Sequence, residues 1–115
     1  MATDVNFGVS EIEHRGTPVL EVRGEVDVST APELRERLLA LSEQGRTVAV
    51  VDLSDVSFVD STALGVLVSG VKRLRSAGGD LRLVVTQPRI SKVFEITGLT
   101  DVFHIYQSAD EAVRA

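Results

Sequence analysis

The sequence predicts an α/β fold built on a mixed sheet, and three observations carry that expectation. The chain opens with period-2 alternation on both sides of a turn signal, the pattern of a strand hairpin. Apolar stripes at helical spacing then alternate with short apolar runs. One run, Val48-Ala49-Val50-Val51, is continuous, as in a parallel strand covered on both faces. Such alternation implies right-handed crossovers that lay strands side by side, with about four helices packed on the sheet. The hairpin makes the sheet mixed.

Each element has its own signal. Val5, Phe7 and Val9 alternate with Asn6, Gly8 and Ser10, and residues 19–23 form the second strand after Arg15-Gly16-Thr17-Pro18. Thr30 and Glu33 are spaced as a capping box ahead of Leu34, Leu38 and Leu41, giving an amphipathic helix that ends near Gly45. The strand at 48–51 belongs at the sheet centre. Asp52-Leu53-Ser54-Asp55 reads as a turn whose Asp and Ser side chains bond their own backbone. Asp60 and Ser61 open a second helix with the stripe Leu64, Leu67, Val68, Val71 and Leu74; Lys72, Arg73 and Arg75 sit in its last turn and Gly78-Gly79 stops it. A strand at 81–85, a short helix at 88–97 ended by Gly98, a strand at 102–106 and a helix at 108–114 capped by Ser108 complete the chain.

With 115 residues, 43% of them apolar and 25% charged, one domain spanning 1–115 is expected, and no repeat or linker divides it. The chain has no Cys, which excludes a disulfide scaffold, a zinc-thiolate site, an iron-sulfur cluster and a thiol nucleophile, and fits a reducing compartment. Its formal net charge of −5 repels nucleic acid and anionic lipid, so neither is expected as a partner. No apolar stretch reaches the roughly 18 residues of a membrane span, and the N-terminus lacks a signal peptide's basic and apolar regions. A cytoplasmic location is the expectation.

Residues for catalysis are sparse. His14 and His104 have no ligand-type neighbours at a metal spacing, and no G-x-S-x-G elbow surrounds a serine, so neither a metal nor any other cofactor is expected. A small serine hydrolase pairing Ser61 with His104 is the one catalytic alternative. The stretch from Gly65 to Gly70 lacks the Lys-Ser/Thr pair of a phosphate loop and reads as helix. Asp52 and Asp55 lack a third acidic ligand. A non-enzymatic protein is expected.

Asp60-Ser61-Thr62 crowds a carboxylate and two hydroxyls onto one helix start, where a single capping side chain suffices. Together with Gly24-Glu25-Val26-Asp27 leading into Thr30-Ala31-Pro32-Glu33-Leu34, Val50-Val51-Asp52-Leu53, Phe58-Val59-Asp60-Ser61-Thr62-Ala63-Leu64-Gly65 and Ile96-Thr97-Gly98-Leu99 before Val102-Phe103, it resembles the STAS domains over nearly the whole chain. Among them the chain is similar to the stand-alone anti-sigma-factor antagonists of bacterial partner switching.

The resemblance implies a function. An anti-sigma factor with serine-kinase activity modifies the serine after the Asp at this helix start, which is Ser61 here, and a PP2C-like phosphatase reverses the step. The unmodified form binds the anti-sigma factor and frees the sigma factor; the modified form does not. By the same resemblance, Asp27, Ser29 and Thr30 form one element of the partner surface, and Val59, Asp60, Thr62, Ala63 and Leu64 surround the other. Thr62 offers a second hydroxyl beside Ser61. Many members carry Gly where this chain has Ala63, a change that favours helix by about 1 kcal/mol and is expected to bear on how closely a partner approaches. A STAS subunit of a larger sensory signalling assembly is the alternative within the same family.

Overall fold

The computed structural model describes residues 6–115. The elements run β1 (Gly8–His14), β2 (Thr17–Val26), α1 (Ala31–Glu43), β3 (Val48–Val59), α2 (Ser61–Ser76), β4 (Asp80–Val84), α3 (Pro88–Ile96), β5 (His104–Tyr106) and α4 (Ala109–Arg114). The five strands lie in sequence order, β1 antiparallel to β2 and every later neighbour parallel. This is the mixed sheet that the hairpin and the alternation predict.

Strand side chains alternate between two cores. Leu20, Val22, Val26, Val51, Leu53, Val59 and Leu83 pack with the buried stripes of α1 and α2 and with Ile90 and Phe94 of α3. Phe94 meets Phe103 edge-on, ring centroids 5.7 Å apart. Val19, Val50 and Val84 point to the other face, where Ala112 of α4 joins them. The short α4 covers only the end of the sheet where the parallel strands begin. Asp110 of α4 meets His14 Nε2 at 3.0 Å and Arg15 Nε at 3.4 Å, tying it to the hairpin turn.

The structure departs from the sequence expectations in several places. The first strand is β1 at Gly8–His14 rather than 5–10, and Val5 lies outside the described residues. The turn before β2 is only Arg15 and Gly16, both at positive φ, with His14 paired to Thr17. Pro18 is tolerated in β2 because pairing with β3 begins one residue later, at Val19.

The expected capping box does not form. Thr30 is the N-cap of α1, yet its side chain makes no cap bond to the helix. Its hydroxyl accepts from Asp27 N–H at 2.8 Å and donates to the Glu25 carbonyl at 2.7 Å. The turn before the helix has taken the hydroxyl from the helix itself.

Residues 52–55 are not a turn. Asp52 Oδ1 does accept from Ser54 N–H (3.0 Å) and Ser54 Oγ (2.6 Å), as expected, but the chain stays extended and β3 runs on to Val59. The ladder slips instead: Glu21 pairs with Asp52 and Arg23 with Asp55, so β3 uses one more residue than β2 over this step. The Ser54 carbonyl accepts from Gln87 Nε2 at 2.6 Å, and α3 packs beside β3 beyond the end of β4. The last strand is three residues, shorter than 102–106, because Phe103 turns into the core.

Candidate functional site

The extension of β3 determines where the site sits. β2 and β3 end together, Val26 paired with Val59, beyond the reach of β4. From this shared end the chain leaves through residues 27–30 into α1 and through Asp60 into α2. The Asp60 N–H donates to the Val26 carbonyl at 3.2 Å and joins the two exits. The Asp27 turn and the Ser61 helix start, 34 residues apart in the sequence, are thereby neighbours.

The first exit is organised by Asp27. Its carbonyl accepts from Ala31 N–H at 2.7 Å and Thr30 N–H at 3.1 Å. Its Oδ1 accepts from Ser29 N–H (2.9 Å), Ser29 Oγ (2.8 Å) and Thr30 N–H (3.2 Å), whereas Oδ2 takes no bond from the described residues. The Ser29 hydroxyl, then the Ser29 N–H, hold the Asp27 carboxyl below the usual carboxylate range; slight burial opposes them and the Thr30 bonds assist. Asp27 therefore presents a fixed anion at neutral pH.

The second exit is the start of α2. Asp60 is extended, φ −110° and ψ −175°, and its Oδ1 accepts from Ala63 N–H at 2.9 Å while its carbonyl accepts from Leu64 N–H at 3.1 Å. One side chain completes the cap, as the crowding of polar groups suggests. Ser61 and Thr62 are exposed at the first two helical positions, and their N–H groups find no acceptor among the described residues. These donors and the helix dipole make the position tolerant of an added anion.

Of the residues the resemblance assigns to the partner surface, Asp27, Ser29, Asp60, Ser61 and Thr62 reach solvent, whereas Thr30, Val59, Ala63 and Leu64 are buried and act as scaffold. The Ala63 methyl is wholly enclosed, so the departure from Gly is a matter of packing and leaves the outer surface of α2 unchanged. Two exposed apolar side chains at the same end escaped the sequence reading. Val28, 70% exposed, sits in the Asp27 turn, and Phe58, 46% exposed, pairs with Glu25 on the face opposite α2. A bare valine among turn-forming polar residues was the available signal.

The site's charge is acidic: Glu25, Asp27 and Asp60 surround it, and the basic residues of α2, Lys72, Arg73 and Arg75, lie toward its far end. Arg23 stands on the opposite face of the sheet, its guanidinium filling the space above Gly8.

Neither histidine approaches Ser61. His104 pairs with Arg82 at the start of β5 and holds Asp80 Oδ2 at 2.7 Å; His14 holds Asp110. Both occupy the end where the parallel strands begin, more than roughly 20 Å along β3 from its far end. Ser61 has no imidazole base, which removes the geometry of the hydrolase alternative. No group of three or more His, Asp or Glu among the described residues is placed to hold a metal, and no helix among them is long and apolar enough to cross a membrane.

A capped helix start beside an acidic Asx turn, at the shared end of two parallel strands in this five-stranded sheet, defines the class, and residues 10–112 match the STAS domain family. The chain belongs to that family. It is 37% identical over 110 residues to the anti-sigma-B factor antagonist of Bacillus subtilis strain 168, covering 96% of this chain and 100% of the relative. An anti-sigma factor antagonist from Mycobacterium paratuberculosis superposes with a TM-score of 0.87 at 28% identity, covering 99% of this chain and 97% of that one. The Bacillus cell fate determinant SpoIIAA in its phosphorylated form superposes with a TM-score of 0.70 at 25% identity, covering 94% and 96%.

Proposed function

We propose that this protein is an anti-sigma-factor antagonist, a single cytoplasmic domain that binds an anti-sigma factor through the Asp27 turn and the exposed start of α2, and that phosphorylation of Ser61 ends the binding. The observation that carries this reading is the exposed Ser61 hydroxyl, one residue after the cap Asp60, whose backbone N–H bonds the Val26 carbonyl just ahead of the Asp27 turn. The curated relatives named as anti-sigma-B factor antagonists, and the phosphorylated form of SpoIIAA, support it.

The switching step is a phosphoryl transfer. The Ser61 Oγ attacks the γ-phosphorus of ATP on the anti-sigma-factor kinase, its proton leaves to the kinase's base, and ADP departs. A PP2C-like phosphatase returns the serine by hydrolysis. The added group brings about −1.5 to −2 charges. Within the chain, the free N–H groups and helix dipole offset part of that charge, by roughly 0.3–1 kcal/mol. A docked surface that must dehydrate a dianion beside Asp27 and Asp60 loses far more, about 2–5 kcal/mol.

The test has two stages. Affinity purification from the source cells with the unmodified chain, read by mass spectrometry, is expected to recover an anti-sigma-factor kinase. Incubation of that kinase with ATP and the chain, followed by peptide mapping, is expected to place phosphate on Ser61. Recovery of no such kinase, or no phosphate incorporation, contradicts the reading.

A further inference from the structure

Helix α2 carries a glycine the fold does not require. Gly65 is exposed on its second turn, its φ is outside the left-handed region, and a Cβ built on it meets no described atom within 4 Å. Gly70 is the contrast: it is buried, and a Cβ there would stand 3.2 Å from both Leu38 Cδ1 and Leu81 Cδ2, so its bareness lets α2 close on α1 and β4. Every other glycine in the sequence either takes a positive φ or would press a Cβ into a neighbour. At Gly65 alone the chain accepts a weak helix former in an open helical position without packing or conformational return. A local rule broken without internal compensation points outward, to something that uses the bare backbone.

Its position says what that is. Gly65 follows Ser61 by four residues and lies on the same helix face, one turn or about 5.4 Å further along. We infer that Gly65 is the point of closest approach for the anti-sigma factor on α2, where a backbone segment of the partner rests against the bare Cα. The inference rests on the proposed function and adds the partner's position. A segment seated at Gly65 lies one helical turn from Ser61, near enough for the charge of a phosphate there to act on it. This gives the switch a local cause that needs no rearrangement of the domain. The exposed Val28 and the Asp27 anion lie at the same end of the sheet.

Gly65→Ala tests it with two readouts on the full chain. Thermal unfolding is expected to rise by roughly 3–6 °C, since the helix gains a better former in open space. Titration calorimetry against the purified cognate anti-sigma factor is expected to show affinity weakened about tenfold or more, the penalty of a methyl forced into a packed contact. Unchanged affinity for Gly65→Ala, in a series where Asp27→Asn weakens binding, overturns the inference and leaves the proposed function standing. A fall in thermal stability also overturns it, by revealing an internal need for the glycine. If the unsubstituted chain itself shows no binding, the proposed function fails and the inference fails with it.

Discussion

Two carboxylates near the ends of β3 do different work. Asp60 spends one oxygen on the helix start and leaves the neighbouring hydroxyls to solvent. Asp60→Ala is expected to cost about 1 kcal/mol, read by urea unfolding, because the Ala63 N–H loses its acceptor. Ser61→Ala is expected to abolish phosphate incorporation with little change in stability; phosphate found only on Thr62 would move the switch by one residue. At the opposite end, Asp80 is mostly buried between Arg75 Nε at 2.9 Å and His104 Nδ1 at 2.7 Å. Burial by itself would raise its pKa, but the hydrogen bonds from His104 and Arg75 and their charges outweigh it, and the carboxyl ionises below its usual range. A carboxylate depressed in the folded state stabilises the protein above its unfolded pKa, near 3.8, and loses that contribution as pH falls through the lower folded value. Asp80→Asn is thus expected to melt below the unsubstituted protein at pH 7, with the gap closing below pH 3.8. A gap that persists in strong acid contradicts the ionic account.

Among the elements, β3 shows where sequence and structure part. The apolar run Val48-Ala49-Val50-Val51 announced a central strand, and the periodic stripes announced α1 and α2, because those signals come from burial on a regular period. The continuation to Val59 was hidden, since Asp52, Ser54 and Asp55 carry the chemistry of a turn and satisfy it locally while the strand goes on. That hidden extension places Val59 beside Val26, so the adjacency of the two exits was legible as a shared motif but not as a distance. Likewise Thr30 had the spacing of a capping box, and only the three-dimensional turn shows its hydroxyl held by Asp27 and Glu25. Asp52→Ala is expected to destabilise the domain by about 1 kcal/mol in urea unfolding, through loss of the bonds that hold the slipped register. An unaltered midpoint would show that the slip maintains itself without them.

At the scale of the molecule, the fold separates stability from recognition. The buried stripes and both packed faces hold the sheet, while the groups proposed to meet a partner hang from the ends of β2 and β3 and contribute little to the core. Asp27→Asn keeps an acceptor at Oδ1, and so the turn, but removes the fixed anion; binding to the anti-sigma factor is expected to weaken about fivefold or more at nearly unchanged thermal stability. The same separation is what the proposed switch requires, a phosphate on Ser61 that changes binding without changing the fold. The most direct test is calorimetric titration of the anti-sigma factor with the Ser61-phosphorylated and unmodified chains, alongside circular dichroism of each free form. Affinity is expected to fall by roughly 30-fold to several-thousand-fold on phosphorylation, with helix content unchanged. Equal affinity for the two forms, or loss of helix in the phosphorylated chain, would contradict the switch.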